Sequence, residues 1–409
     1  MSGITDWRMI NHKIFLPPQP LASLVSGISN DIGRNIEVRG RGELLPTDSK
    51  YNEDPIYAVF RFLDLNFLFQ IILSLFAILF CYNAVNGEKE NGTLRLIFSN
   101  ALPRDKFIIG KSVGTSLALI IPLLIPLLIG SLLLMIFNIP ITGNDWIKLI
   151  LIILTGLLLF GVFINLSVFL SASTVNSSSS FLFLLVIWIM AVLVIPKASV
   201  MIAGRAVFVP SVDEINSQKS LYARQLNNEH FKKLGEFKTD KKGQDVFQEF
   251  QKFMEKTNDE REEKMKLFNE KVNNERQTRQ AIQENLAFDI SRISPSASFE
   301  LASANLAGTS LDLIRSYRDQ AGEYQKVFAK FQTDKTGGTT GSGMTFVIRN
   351  DGDNKPPEIN PAELPKFVFE TTQLGKSIST SLFDIGLLVL FNLVFFAGSY
   401  FRFLKYDLR

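Results

Sequence analysis

Gly110-Lys111-Ser112 has the ending of a phosphate-binding loop, in which backbone amides cradle a phosphate and the lysine reaches its outer oxygens. That loop needs an earlier glycine at the position where Asp105 stands, and the tripeptide leads into an apolar run instead of joining a strand to a helix. It is not read as a nucleotide site. The two histidines, His12 and His230, are far apart and lack companions at ligand spacing, so neither a metal site nor a histidine-based triad is expected. No serine-centred elbow and no His-Glu-x-x-His run occur. The single cysteine, Cys81, lies in an apolar run, excludes an intramolecular disulfide and reads as a packed small residue. The chain is therefore expected not to be an enzyme and to hold no cofactor of its own. The residues that remain can act by electrostatics alone. They are Glu88, Glu90 and Arg95 at the end of the first apolar run, and Asn83, Asn165, Asp384 and Asn392 inside or beside such runs.

The elements that position these residues are set by hydropathy. Of 409 residues, 46% are apolar, and they concentrate in Leu65–Val85, Val113–Phe137, Ile147–Leu170, Phe181–Ala203 and Ile378–Phe401. Each run is near or above the roughly 20 residues that cross a bilayer, and none shows the polar stripe of a surface helix. The expected fold is an all-α polytopic membrane protein with five membrane helices. A net charge of +3 and the lack of a basic stripe interleaved with aromatics give no sign of a nucleic-acid partner.

Four regions follow: an amino-terminal segment over 1–64, a four-helix membrane region over 65–203 with a polar segment at 86–112, a mainly helical domain over 204–376, and the last membrane helix with its tail over 377–409. The first, with Pro17-Pro18-Gln19-Pro20 and scattered glycines, reads as turn-rich with little core. Pro122 and Pro126 fall on one face of the second span and bend it. Ser171–Ser180 is a small polar loop suited to a tight helix hairpin. In the large domain, Phe247, Phe250, Met254, Met265, Phe268, Val272, Ile282 and Leu286 recur at steps of three and four with gaps, which predicts a helical hairpin or bundle and not a regular coiled coil. Ser294-Pro295 starts a helix expected to reach about Phe331 with a bend at Gly308. The Gly/Ser-rich stretch from Thr336 to Gly343 is a linker, and Met344–Arg349 and Phe367–Phe369 are strand-like. Asn83 and Asn165 are expected to hydrogen-bond between helices. Asp384, within about two turns of the span's outer end, suits an interfacial or capping role as well as an intramembrane one.

The run Glu88-Lys89-Glu90-Asn91-Gly92-Thr93-Leu94-Arg95, followed by Pro103-Arg104 and Gly110-Lys111, resembles the cytoplasmic coupling segment of exporter-class (ABC-2-like) ABC-transporter permeases. The resemblance covers essentially the whole chain. Ser294-Pro295-Ser296-Ala297 and Leu306-Ala307-Gly308-Thr309 look like the outer-domain signature of a branch with a large helical insertion before its last span. It implies a permease subunit that binds a separate ATPase, with ATP and magnesium on that partner, and that pairs with a second permease subunit in a bacterial inner (plasma) membrane. Glu88, Glu90, Gly92, Thr93, Leu94 and Arg95 would then dock the ATPase. Leu94 and Ile97 would point to a groove on it, and Glu88, Glu90 and Arg95 would form rim ion pairs. Gly92 would supply a backbone angle or close approach. The competing reading is a membrane-anchored sensor or tether using the helical domain to bind a partner; a short loop and an eight-residue tail offer it little output inside the cell.

Positive residues near span ends favour the cytoplasm. Lys89, Arg95, Arg104, Lys106, Lys111, Arg402, Lys405 and Arg409 put residues 86–112 and the tail there, with 1–64 and 204–376 outside. Such permeases carry one more span upstream, and Met1–Lys13 has no export signal, so a further apolar segment encoded before Met1 is expected.

Overall fold

The computed structural model describes residues 11–29, 31–39, 44, 46–47, 64–99, 103–137, 139–239, 244–336 and 363–405. Among them, five helices are long and apolar enough to cross a membrane: Leu65–Glu90, Arg104–Ile136, Gly143–Ser173, Ser177–Ala206 and Leu374–Leu404. The first span is built from α1 (Leu65–Phe67), a π-helical turn Leu68–Leu73 and α2 (Ser74–Cys81), and runs through a turn into α3 (Asn86–Glu90). A short α4 (Thr93–Ser99) leads to α5 (Arg104–Ile136), the second span, which carries both Pro122 and Pro126 inside it. The third span is α6 (Gly143–Ser173), started by a capping box between Thr142 and Asp145. Only residues 174–176 separate it from α7 (Ser177–Trp188), so most of the expected serine loop is helical and the hairpin is tighter than the sequence suggests. A second π-helical turn, Ile189–Val194, joins α7 to α8 (Ile195–Ala206).

Beyond the fourth span the chain stays helical. Ser211 and Glu214 form a capping box that starts α9 (Val212–Gly235), and α10 (Gln244–Ser291) returns along it. Tyr222 stacks on Phe268 with ring centroids 4.0 Å apart, Lys233 bonds Glu260 at 2.9 Å, and Phe237 meets Phe250 and Phe253, which fixes an antiparallel hairpin. Short α11 (Pro295–Ala307) follows, capped by Ser294. The expected bend at Gly308 is instead a termination: Gly308 takes a left-handed conformation (φ 71°), closes α11, and α12 (Asp312–Thr336) begins anew. The fifth span is α13 (Leu374–Leu404).

The amino-terminal segment differs from its turn-rich reading. β1 (His12–Phe15), β2 (Asn35–Val38) and β3 (Pro46–Thr47) form a three-stranded antiparallel sheet in that order. Ile14, Ile36 and Val38 are buried against Ile314, Tyr317 and Phe328 of α12, and Tyr317 donates its hydroxyl to the Ile14 carbonyl at 3.0 Å. The sheet has no core alone; α12 supplies it, which is why short strands with sparse apolar residues were not legible by themselves. Phe367–Phe369 is irregular and not a strand, with Phe367 and Phe369 packed beside Tyr317 in the same core. The Gly337–Asn360 stretch, with most of the linker and Met344–Arg349, lies outside the described residues.

In the membrane region α6 is the central helix, with α13, α2 and α11 on it. Close approach is possible because Gly156 leaves room for the Phe69 ring, whose atoms would lie 2.6 Å from any added Cβ. Phe69 is fully buried and cannot swing away. Gly156→Ala is therefore expected to cost about 1–3 kcal/mol, the usual penalty of overpacking, read as a lower unfolding midpoint in detergent. Adding Phe69→Leu should recover part of the loss; an unchanged midpoint in the single variant would mean the contact yields freely.

Candidate functional site

The polar segment after the first span is bolted to four helices through its own side chains. Ser171 of α6 accepts from the amides of Val85 and Asn86 (2.9 and 3.0 Å), satisfying groups left open at the start of α3. Asn86 donates to Thr174 Oγ1 at 2.8 Å and to the Asn176 carbonyl at 3.2 Å. Lys89 Nζ donates to the carbonyls of Ala172 (2.8 Å) and Thr174 (3.1 Å), a cation placed where α6 ends and its carbonyls lack partners. One residue on, Glu90 accepts from the Ser177 amide (2.7 Å) and hydroxyl (2.6 Å), an anion at the start of α7. Glu88 takes Lys111 of α5 at 2.8 Å and the hydroxyl of Thr93. Opposite charges on neighbouring residues thus cap the two ends that meet in the α6–α7 hairpin.

Gly92 then turns the chain with φ 72°, a left-handed angle that a β-branched side chain does not tolerate, in open space. It starts α4, whose inner face is not free. Leu94 is 3% exposed and packs with Val85, Phe107, Ile108, Val168 and Phe403, with Ile97 and Phe98 beside it. Phe98, Phe107 and Phe403 form an aromatic knot with centroids 5.1–6.0 Å apart, and Arg104 donates to the Leu404 carbonyl at 2.9 Å. The expectation that Leu94 points to a partner is corrected: it belongs to this chain's own core. The outward face of α4 is Arg95 and Leu96, the latter 68% exposed. Leu96 was missed because a one-turn amphipathic reading of Thr93–Ser99 fits either face; only the docking of α4 on α5 and α13 selects one. Glu88 and Glu90, read as rim pairs with a partner, are committed within the chain. Gly110-Lys111-Ser112 lies inside helix α5.

Deeper in the bundle, Ser112 of α5 donates to Asn165 Oδ1 (2.7 Å), Asn165 of α6 donates to Asn392 Oδ1 (2.9 Å), and Asn392 of α13 donates to the Leu158 carbonyl (2.9 Å). Gly161 makes room, since a Cβ there would sit 2.9 Å from Asn392 Oδ1. Two of the four sequence-selected polar residues are thus joined in one chain of hydrogen bonds across three spans. Asn83 is not part of it: it lies exposed in the turn before α3, and Asn86 makes the interhelical bonds there.

Asp384 is fully buried ten residues into α13 and does not cap it, since Gln373 holds that position. Arg292, after the end of α10, reaches it with two bonds, Nε to Oδ1 at 2.7 Å and Nη2 to Oδ2 at 3.3 Å. The guanidinium also bonds Asp289 at 2.9 Å and lies over the Phe383 ring. This fork clamps the helical region after the fourth span to the last span. The sequence hid it because Arg292 sits 92 residues away, in a region rich in charge.

Residues 23–408 match a family described as ABC-2 family transporter protein. No curated protein matches the chain.

Proposed function

The chain belongs to the ABC-2 transporter family and is a membrane permease subunit, and from that premise we propose that it couples ATP hydrolysis on a separate subunit to export or to force transmission across the membrane. The observation that carries this reading is α4: a short helix held rigidly on its inner side that offers Arg95 and Leu96 outward at one end of the bundle. An exposed leucine with a charged neighbour suits a protein interface, where apolar anchors carry most of the energy and charges set register. The ATPase, with its ATP and magnesium, docks there. Movement of α4 is then carried into α5 and α13 by the Phe98–Phe107–Phe403 knot, and through the adjoining α3, where Glu88, Lys89 and Glu90 bond α5, α6 and α7.

In this reading residues 86–112 face the cytoplasm of a bacterial cell, and the α9–α10 hairpin lies on the opposite side of the plasma membrane. A second permease subunit completes the pathway. Helix α5 offers it the most free surface, since only 6% of its most apolar stretch is buried.

Two measurements test the proposal. In a Cys81→Ser background, an impermeant thiol reagent applied to intact cells should label a cysteine placed at Lys264 and spare one placed at Arg104. The chain should also co-purify with a soluble ATPase carrying a phosphate-binding loop. Labelling of Arg104 alone would invert the chain and remove the docking face from the compartment that holds ATP.

A further inference from the structure

Helix α11 is wedged between the first span, α6 and α13, and both π-helical turns touch it. Gln70, in Leu68–Leu73, donates its side-chain amide to the Ser296 carbonyl (3.1 Å) and to Glu300 Oε2 (3.2 Å). The Ala191 carbonyl, in Ile189–Val194, accepts from the Ser294 hydroxyl. Wide turns of this kind recur at functional sites because they present backbone and side chains out of the regular helical phase. Between them Glu300 is 8% exposed. Two other buried carboxylates stand nearby, and each holds an arginine: Asp384 has Arg292 and Glu284 has Arg315. Glu300 has no ion pair among the described residues, and its partner is a neutral amide. A buried carboxylate with no cation is far costlier than a buried carboxylic acid.

We propose that Glu300 is a proton-binding site: it carries a proton while α11 is seated on Gln70, and release of that proton loosens α11 from the first span. The step is a simple dissociation, in which the carboxylic O–H breaks, the electron pair stays on Glu300 and water takes the proton. A cavity of about 20 Å³ between α8, α10 and α11 borders Glu300 together with Ser199, Glu284 and Ser291, room for roughly one water.

Burial pushes the Glu300 carboxyl up to about 8; the Gln70 hydrogen bond pulls it down and the charge of Asp64 pushes it up. The other charged groups on the packed elements are either exposed, as Lys197 of α8 and Lys376 of α13 are, or engaged. Arg292 binds Asp384 and Asp289, Arg315 binds Glu284 and Asp312, and on α6 Lys148 pairs with Asp145. The turn Ile189–Val194 carries no titratable side chain. Because the folded value is raised, the contribution of Glu300 to stability is complete below its ordinary value of 4.5 and is lost as pH rises to about 8.

The test is infrared titration of the full chain in lipid nanodiscs. The neutral-acid carbonyl band should fade with a midpoint near 8 and be absent in Glu300→Gln. Gln70→Leu, which removes the bond favouring the anion, should move the midpoint up, and Asp64→Asn should move it down. In parallel, the wild-type unfolding midpoint should fall from pH 6 to pH 9, and Glu300→Gln should flatten that fall. If Glu300→Gln does not fold, the Gln70 and Asp64 variants still decide, because both keep the carboxyl. A band that persists in Glu300→Gln, or a midpoint that neither neighbour moves, overturns the proposal.

Discussion

Arg292→Met is expected to destabilise the protein by about 3–5 kcal/mol, the usual consequence of removing one partner from a buried ion pair. Asp384 is fully buried, so its carboxylate cannot turn to water once the guanidinium is gone. Loss of the converse partner should do less. Arg292 keeps Asp289 and a side chain 24% exposed, so in Asp384→Asn its charge still finds a partner and solvent. The double variant Arg292→Met/Asp384→Leu removes both charges and fills the space with apolar groups, and it should return most of the stability. Unfolding midpoints of the three variants at neutral pH in detergent give the measurement. A single Arg292→Met variant as stable as wild type, or a double variant as unstable as the single, would show that the fork does not hold the end of α10 to α13.

The second large effect concerns α4. Leu96→Asp should leave the amount and stability of the chain unchanged yet weaken ATPase association by about 25-fold or more, the equivalent of losing a contact worth roughly 2 kcal/mol at the centre of an interface. Leu94→Asp should behave in the opposite way: it puts a charge into the cluster with Phe107 and Phe403, so the folded protein itself is lost. Gly92→Val falls between them, because a β-branched residue at φ 72° re-aims α4 at a cost of about 1–2 kcal/mol. Co-purification with the ATPase, ATP turnover of the complex and the yield of monodisperse chain separate the three. Unaltered association and turnover in Leu96→Asp would leave α4 as a mere membrane-edge turn.

What the sequence made legible follows from the kind of signal involved. Five apolar runs are a strong one-dimensional pattern, and each became a helix, though α5 begins at Arg104, well before its apolar run, because nothing between Arg104 and Val113 stops a helix. The broken seam of residues 247–286 pointed to a helical hairpin or bundle, and all eight of its apolar residues lie on α10, one arm of the α9–α10 hairpin. Pairings across long separations were not legible. Arg292 with Asp384, Ile14 and Ile36 on α12, and Gln70 with Glu300 are each made by residues unremarkable in their own neighbourhoods. At the segment proposed to dock the ATPase, the spacing of Glu88, Glu90 and Gly92 drew attention to the stretch, but which way α4 faces depends on Phe403 at the far end of the chain.

The length of α10 has a mechanical meaning. At about 1.5 Å per residue its 48 residues extend to about 72 Å. Its C-terminal end is gripped by the Arg292 fork, by α8 and by Gln283, which bonds the Val207 carbonyl at 2.9 Å, while among the described residues its far part leans on α9. It is therefore a lever with a short clamped arm and a long free one. A tilt of roughly 10° at the clamp would carry the far end through about 10 Å, since the free arm from Gln244 to Gln283 is about 58 Å long at that rise per residue. Angstrom-scale shifts of the spans would thus arrive at the tip as nanometre-scale sweeps.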